Sequence, residues 1–181
     1  MNICRKMEAF LSNLPKTLKS INNDLSKEIT LVLGNDSCDL DSAICSIVLA
    51  HFLSSKSEKP VLPIFNIPKE DVPLRTEVVY CLGNDIIDYI PTQSDLDLHS
   101  LTNHEIVLVD HHKLRSSDEC LKSYVKEIID HRQLDPSANL SSKLNTKIEL
   151  VGSCSTLVAE KLLQEGYEVR KNLLSLSSMI I

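Results

Sequence analysis

The chain has 181 residues, a length that fits one α/β domain or part of a larger protein. Hydrophobic residues make up 43% and charged residues 24%, a balance that excludes disorder along the whole chain. A formal net charge of -6 with 4% aromatic residues argues against a surface that tracks a nucleic-acid backbone, and it suits a protein whose carboxylates hold cations.

In chain order, the helical spacing of Phe10, Leu11, Leu14, Leu18 and Ile21 predicts an amphipathic helix over residues 7–21. Residues 28–33 form an apolar run that ends at Gly34, as a buried parallel strand does where it meets a turn. A helix packed on the sheet is expected over 42–53. Further strands are expected at 61–65, 78–82 and 106–109, with a helix over 94–101. Residues 125–129 read as another buried strand, and 134–145, carrying Pro136 and several serines and asparagines, as the longest loop. An edge or return strand over 147–151, a helix over 153–164 stopped by Gly166, and a last helix over 168–178 complete the pattern. Strands alternating with helices imply a mostly parallel β-sheet with helices on both faces.

Six cysteines, Cys4, Cys38, Cys45, Cys81, Cys120 and Cys154, include no C-x-x-C pair, so neither a zinc knuckle nor a redox dithiol is indicated and reduced intracellular thiols are expected. No apolar run approaches the ~20 residues that cross a bilayer. Arg5, Lys6, Lys16 and Lys19 give the start of the chain a presequence-like charge, but Pro15 is expected to interrupt the helix that a presequence needs. A cytoplasmic protein without a membrane partner is the expectation.

Three segments carry chemistry. Gly34-Asn35-Asp36-Ser37-Cys38-Asp39-Leu40-Asp41-Ser42 lies where a buried strand gives way to a helix, the edge at which open α/β sheets bind ligands. Asp39 and Asp41 either aim two carboxylates at neighbouring cations or cap the helix and solvate the loop, with Ser42 placed where it could cap as well. Val109-Asp110-His111-His112 and Ile129-Asp130-His131-Arg132 repeat one design, an apolar strand stopping at an acid and a histidine. Carboxylates with one or two imidazoles suit Mn²⁺ or Mg²⁺ better than thiolate-rich sets do. Arg75 reads equally as a phosphate contact or a structural ion pair, and Gly152-Ser153 as an anion cradle or a simple cap. His51, His99 and His104 fall outside the motifs and are expected to be surface or satisfied core.

Taken together, Asn35-x-x-x-Asp39-x-Asp41-Ser42, Val109-Asp110-His111-His112 and Asp130-His131-Arg132, with Pro73-Leu74-Arg75 and Glu149-Leu150-Val151-Gly152-Ser153-Cys154 in support, resemble the DHH phosphoesterases and above all their prune branch. The resemblance runs from about residue 29 to the end of the chain. It implies that Asp39, Asp41, Asp110 and His131 hold two divalent ions, Mn²⁺ or Mg²⁺, with Asp110 bridging. Asn35 stands where most DHH enzymes place a histidine ligand, and its amide oxygen would hold that ion less firmly. Arg132 takes the place of a histidine that faces substrate, where a guanidinium would grip phosphate oxygens in bidentate fashion. His111 and His112 would orient Asp110 or touch substrate.

The implied activity is an exopolyphosphatase-like hydrolysis of phosphoanhydrides, with short-chain polyphosphate or pyrophosphate as substrate and phosphodiesterase activity associated with the branch. Possible cytoplasmic signalling partners come with the same resemblance, and with them a rival reading as a binding or regulatory protein that keeps the fold without turnover. A DHH-type exonuclease ranks third, for want of basic and aromatic residues. The domain layout expected is a helical segment over 1–27 and a DHH domain over 28–181. That domain reads as C-terminally incomplete, because a further ligand aspartate and a second, DHHA2-type domain are absent.

Overall fold

The structure, a computed structural model, describes residues 3–167. Five strands form one all-parallel sheet: β1 (Ile29–Leu33), β2 (Val61–Ile64), β3 (His104–Val109), β4 (Val125–Asp130) and β5 (Asn145–Ile148), in the spatial order β2-β1-β3-β4-β5. The central strands are apolar almost end to end because both faces are covered. Helices α1 (Ile3–Asn22), α2 (Leu40–Lys56), α3 (Thr76–Leu82), α4 (Asn84–Ile87) and α5 (Cys154–Gln164) surround it. Among the described residues no helix is long and apolar enough to cross a membrane.

From β1 the chain crosses through α2 to β2 and then returns over β1 to β3. Right-handed crossovers put these two connections on opposite faces of the sheet. The direction therefore reverses between β1 and β3, and the loops leaving their C-terminal ends part there, opening the crevice in which doubly wound sheets bind ligands. α5 packs on α2 and on β4, closing the face that α2 began.

Several elements differ from their sequence signature. Residues 78–82, a β-branched and aromatic run expected as a strand, lie in α3, where Val78 and Leu82 are buried four residues apart while Tyr80 is 85% exposed. The helix expected over 94–101 is reduced to one 3₁₀ turn at Leu98–Ser100. Asp95 and Asp97 bond neighbouring backbone and hydroxyl groups instead, offering the chain a turn in place of a helix. β5 starts at Asn145 and not at 147, since an edge strand needs a ladder partner more than it needs apolar side chains, and Asn145 and Thr146 pair with Glu127 and Ile128. Pro15 lies inside α1 without ending it; Met7, Leu11, Leu14 and Ile21 are buried along the helix and hold it against the core. The helix expected over 168–178 falls outside the described residues.

Candidate metal centre

The site grows from the end of β1. An added Cβ on Gly34 would come within 2.5 Å of Ser42 Oγ, so only glycine lets the strand end pass this close to α2. Ser42 Oγ uses the proximity to accept the Asn35 backbone N–H at 2.7 Å, and so it does not cap α2; that role falls to Asp39, whose Oδ1 accepts the Ser42 N–H at 3.0 Å. Asn35 is buried, with Oδ1 accepting from the N–H and hydroxyl of Ser37 and the N–H of Cys38. Its Nδ2 donates to Asp110 Oδ2 at 2.6 Å, bridging the ends of β1 and β3.

Asp110 is wholly buried and adopts φ 62, a left-handed conformation that a non-glycine residue rarely holds and that the surrounding bonds maintain. Arg132 Nη1 donates to its Oδ1 at 2.8 Å and to its backbone carbonyl. Burial drives the Asp110 carboxyl up to about 6; Arg132 opposes this, and the nearby Asp39 and Asp41 add to it.

Asp41, in the first turn of α2, reaches the N-terminus of α5. Its oxygens accept from Ser153 Oγ at 2.8 Å, the Cys154 N–H at 2.7 Å and the Ser155 N–H at 2.9 Å. Burial pushes its carboxyl up, but these bonds outweigh burial and leave it below the ordinary carboxylate range. His131 donates from Nδ1 to the Val151 carbonyl at 3.0 Å, which fixes the tautomer and leaves the Nε2 lone pair free. Nε2 lies 3.2 Å from Asp110 Oδ1 and 3.9 Å from Asp41 Oδ2. Asp41, Asp110 and His131 thus each offer a ligand atom within 4.8 Å of the others. Two carboxylates and one imidazole with its free nitrogen turned inward suit a hard or borderline divalent ion.

Residues 29–179 match the DHH family, N-terminal domain. The chain belongs to the DHH family. It is 36% identical over 151 residues to exopolyphosphatase PRUNE1 of Homo sapiens, an alignment that takes in 80% of this chain and 33% of that protein. A putative exopolyphosphatase of Schizosaccharomyces pombe is 34% identical over 165 residues, covering 84% and 42%. A probable manganese-dependent inorganic pyrophosphatase of Staphylococcus carnosus is 22% identical over 151 residues, covering 82% and 46%. The chain spans about a third of the length of the human relative.

In this DHH domain the remaining candidate residues divide by what they touch. Asp39 lies outside the three converging groups and spends Oδ1 on the α2 cap and Oδ2 on the loop, where it accepts from Ser37 Oγ at 3.2 Å. His111 turns Nδ1 to the Val109 carbonyl at 2.9 Å, its Nε2 is buried without a partner, and burial lowers its pKa. His112 is a strut: Nδ1 donates to Asp130 Oδ2 at 2.5 Å and Nε2 accepts the Asp135 N–H at 2.9 Å. Arg75 makes no ion pair among the described residues, and its buried Nε lacks a partner.

Two contributions escaped the sequence reading. Asp130, wholly buried, accepts the backbone N–H groups of His131 and Arg132 and the Arg132 guanidinium on Oδ1, so it aims both side chains. Its place at a strand end was the available signal. The grip of α5 on Asp41 was signalled by half: Gly152-Ser153 read as an anion cradle or a cap, Ser153 does cap α5, and the anion held there is Asp41, which only the tertiary fold sets against that helix start.

Proposed function

We propose that this DHH domain belongs to a metal-dependent phosphohydrolase that cleaves phosphoanhydride bonds, with short-chain inorganic polyphosphate as the substrate. The observation that carries the reading is His131, held in the tautomer that presents Nε2 to Asp110 and Asp41. Those three residues would hold the first divalent ion, Mn²⁺ or Mg²⁺. Asp39 would have to leave its cap to join a second, and Asn35 would have to turn its amide over to offer oxygen. As it stands, Asn35 orients Asp110. Bound divalent ions supply a water of lowered pKa and a counter-charge for phosphoryl oxygens. The protein's part is to fix the carboxylates, through the α5 amides on Asp41 and through Asn35 and Arg132 on Asp110. Arg132, 44% exposed, can turn from Asp110 to grip the substrate's terminal phosphate. The names of the human, yeast and bacterial relatives support the substrate class.

The test is phosphate release from tripolyphosphate with Mn²⁺ or Mg²⁺, for the wild type and for Asp110→Ala. We expect release by the wild type, lower by about a hundredfold or more in the variant; equal rates would remove Asp110 from the mechanism. A second reading, a binding or regulatory protein without turnover, is favoured by the Arg132 guanidinium already neutralising Asp110. Tight Mn²⁺ binding with no phosphate release would select it.

A further inference from the structure

A cavity of about 380 Å³, lined by none of the three converging residues, lies between β3, β4, the 3₁₀ segment Ser116–Tyr124 and the long β4–β5 connection. That volume falls within the range of small-molecule sites, about 300–1,000 Å³. Its floor is aliphatic: Leu108 and Ile128 come from the sheet, and Leu140 and Leu144, half-buried, from the connection. No Phe, Tyr or Trp lines it, so it has no broad platform for stacking a base.

Its rim is basic in an acidic protein. Lys113, Lys122, Lys126 and Lys143 line the cavity against one carboxylate, Glu119. Lys122 pairs with Glu119 at 3.2 Å and Lys113 with Asp135 at 3.1 Å, whereas Lys126 and Lys143 have no carboxylate partner among the described residues. An apolar floor under surplus ammonium groups complements a molecule with an aliphatic body and an anionic head. His112 also lines the cavity, and through Asp130 it lies one imidazole away from His131 and Arg132. The connection supplies two of the floor leucines.

We propose that this cavity binds a free aliphatic carboxylate the size of a medium-chain fatty acid, its chain over Leu108, Ile128, Leu140 and Leu144 and its head between Lys126 and Lys143. The test is calorimetric titration of the whole chain, free of metal, with decanoate below its micelle concentration, beside decanol and decyltrimethylammonium as neutral and cationic probes. We expect saturable binding of one decanoate per chain, with the other two probes weaker by roughly tenfold or more. The double variant Lys126→Glu/Lys143→Glu should weaken decanoate binding by a similar factor. Both lysines are exposed, so an unchanged thermal midpoint will show that the variant folds. Methyl shifts on adding decanoate should centre on Leu140, Leu144 and Val125. Absence of saturation into the millimolar range, equal affinity for decanol, unchanged affinity in the double variant, or shifts centred elsewhere would each overturn the proposal.

Discussion

Asp110→Asn is the perturbation most directly tied to the geometry. The substitution keeps the shape of the side chain and an oxygen for Arg132, and it removes the charge that burial disfavours. The interval between the ordinary 3.8 and about 6 corresponds to about 3 kcal/mol of penalty on the folded state once the carboxyl is ionised in both states. Between those pH values the folded protein keeps a proton that the unfolded chain has released, so the Asp110 contribution to stability falls as pH rises and is fully unfavourable above about 6. Measured in chelator by urea unfolding, the stability of Asp110→Asn minus that of the wild type should grow by about 2 kcal/mol between about pH 4.5 and about pH 8. Taking this change with pH cancels the pH-independent cost of altering the hydrogen bonds. Added Mn²⁺ should then reverse the order at pH 8, stabilising the wild type and leaving the variant unmoved. A difference between the two proteins that does not vary with pH would refute the reasoning, because burial would then not be acting on the charge.

Gly34→Ala should cost roughly 1–3 kcal/mol in urea unfolding, since the new methyl meets Ser42 Oγ at 2.5 Å in a packed site. Arg132→Gln should destabilise the metal-free protein by about 1–2 kcal/mol, a figure discounted for the partial exposure of the guanidinium, and should raise Mn²⁺ affinity in calorimetry by removing a competing cation. Burial lowers the His51 imidazole to about 4, with Lys6 adding to the effect, so the unfolded chain takes up a proton first as pH falls. Its contribution is therefore intact above about 6.5 and lost towards about 4, by at most about 3 kcal/mol, and His51→Phe should show a correspondingly flatter acid limb in thermal unfolding.

What the sequence revealed follows from where the physics is local. β1 and β3 were legible because a strand covered on both faces is apolar almost throughout, β4 by its Ile128-Ile129 end, and their ends were legible because the apolar runs stop at Gly34, Asp110 and Asp130. α3 was misread because Val78, Val79 and Tyr80 have strand preferences that the burial of Val78 and Leu82 overrides. β5 was blurred because its ladder, not its composition, defines it. The candidate site showed itself as acids and histidines recurring after successive strands, which drew notice to Asn35, Asp39, Asp41, Asp110 and His131; the structure brings ligand atoms of the last three together. How they are held was not legible. The α5 amides on Asp41, the His112–Asp130 strut and the packing of Asn35 against Asp110 all depend on segments distant in sequence.

The all-parallel sheet has a consequence for assembly. Every ladder in it joins strands separated by a crossover, so the chain must close long loops before any pairing rewards it, and such topologies fold slowly. The three converging side chains come from α2, from the turn after β3 and from the turn after β4, and no local peptide carries two of them at binding distance. A divalent ion therefore has nothing to grasp in the denatured ensemble and cannot nucleate the chain as zinc does a finger. It would arrive late and act as a latch, slowing unfolding without hastening folding.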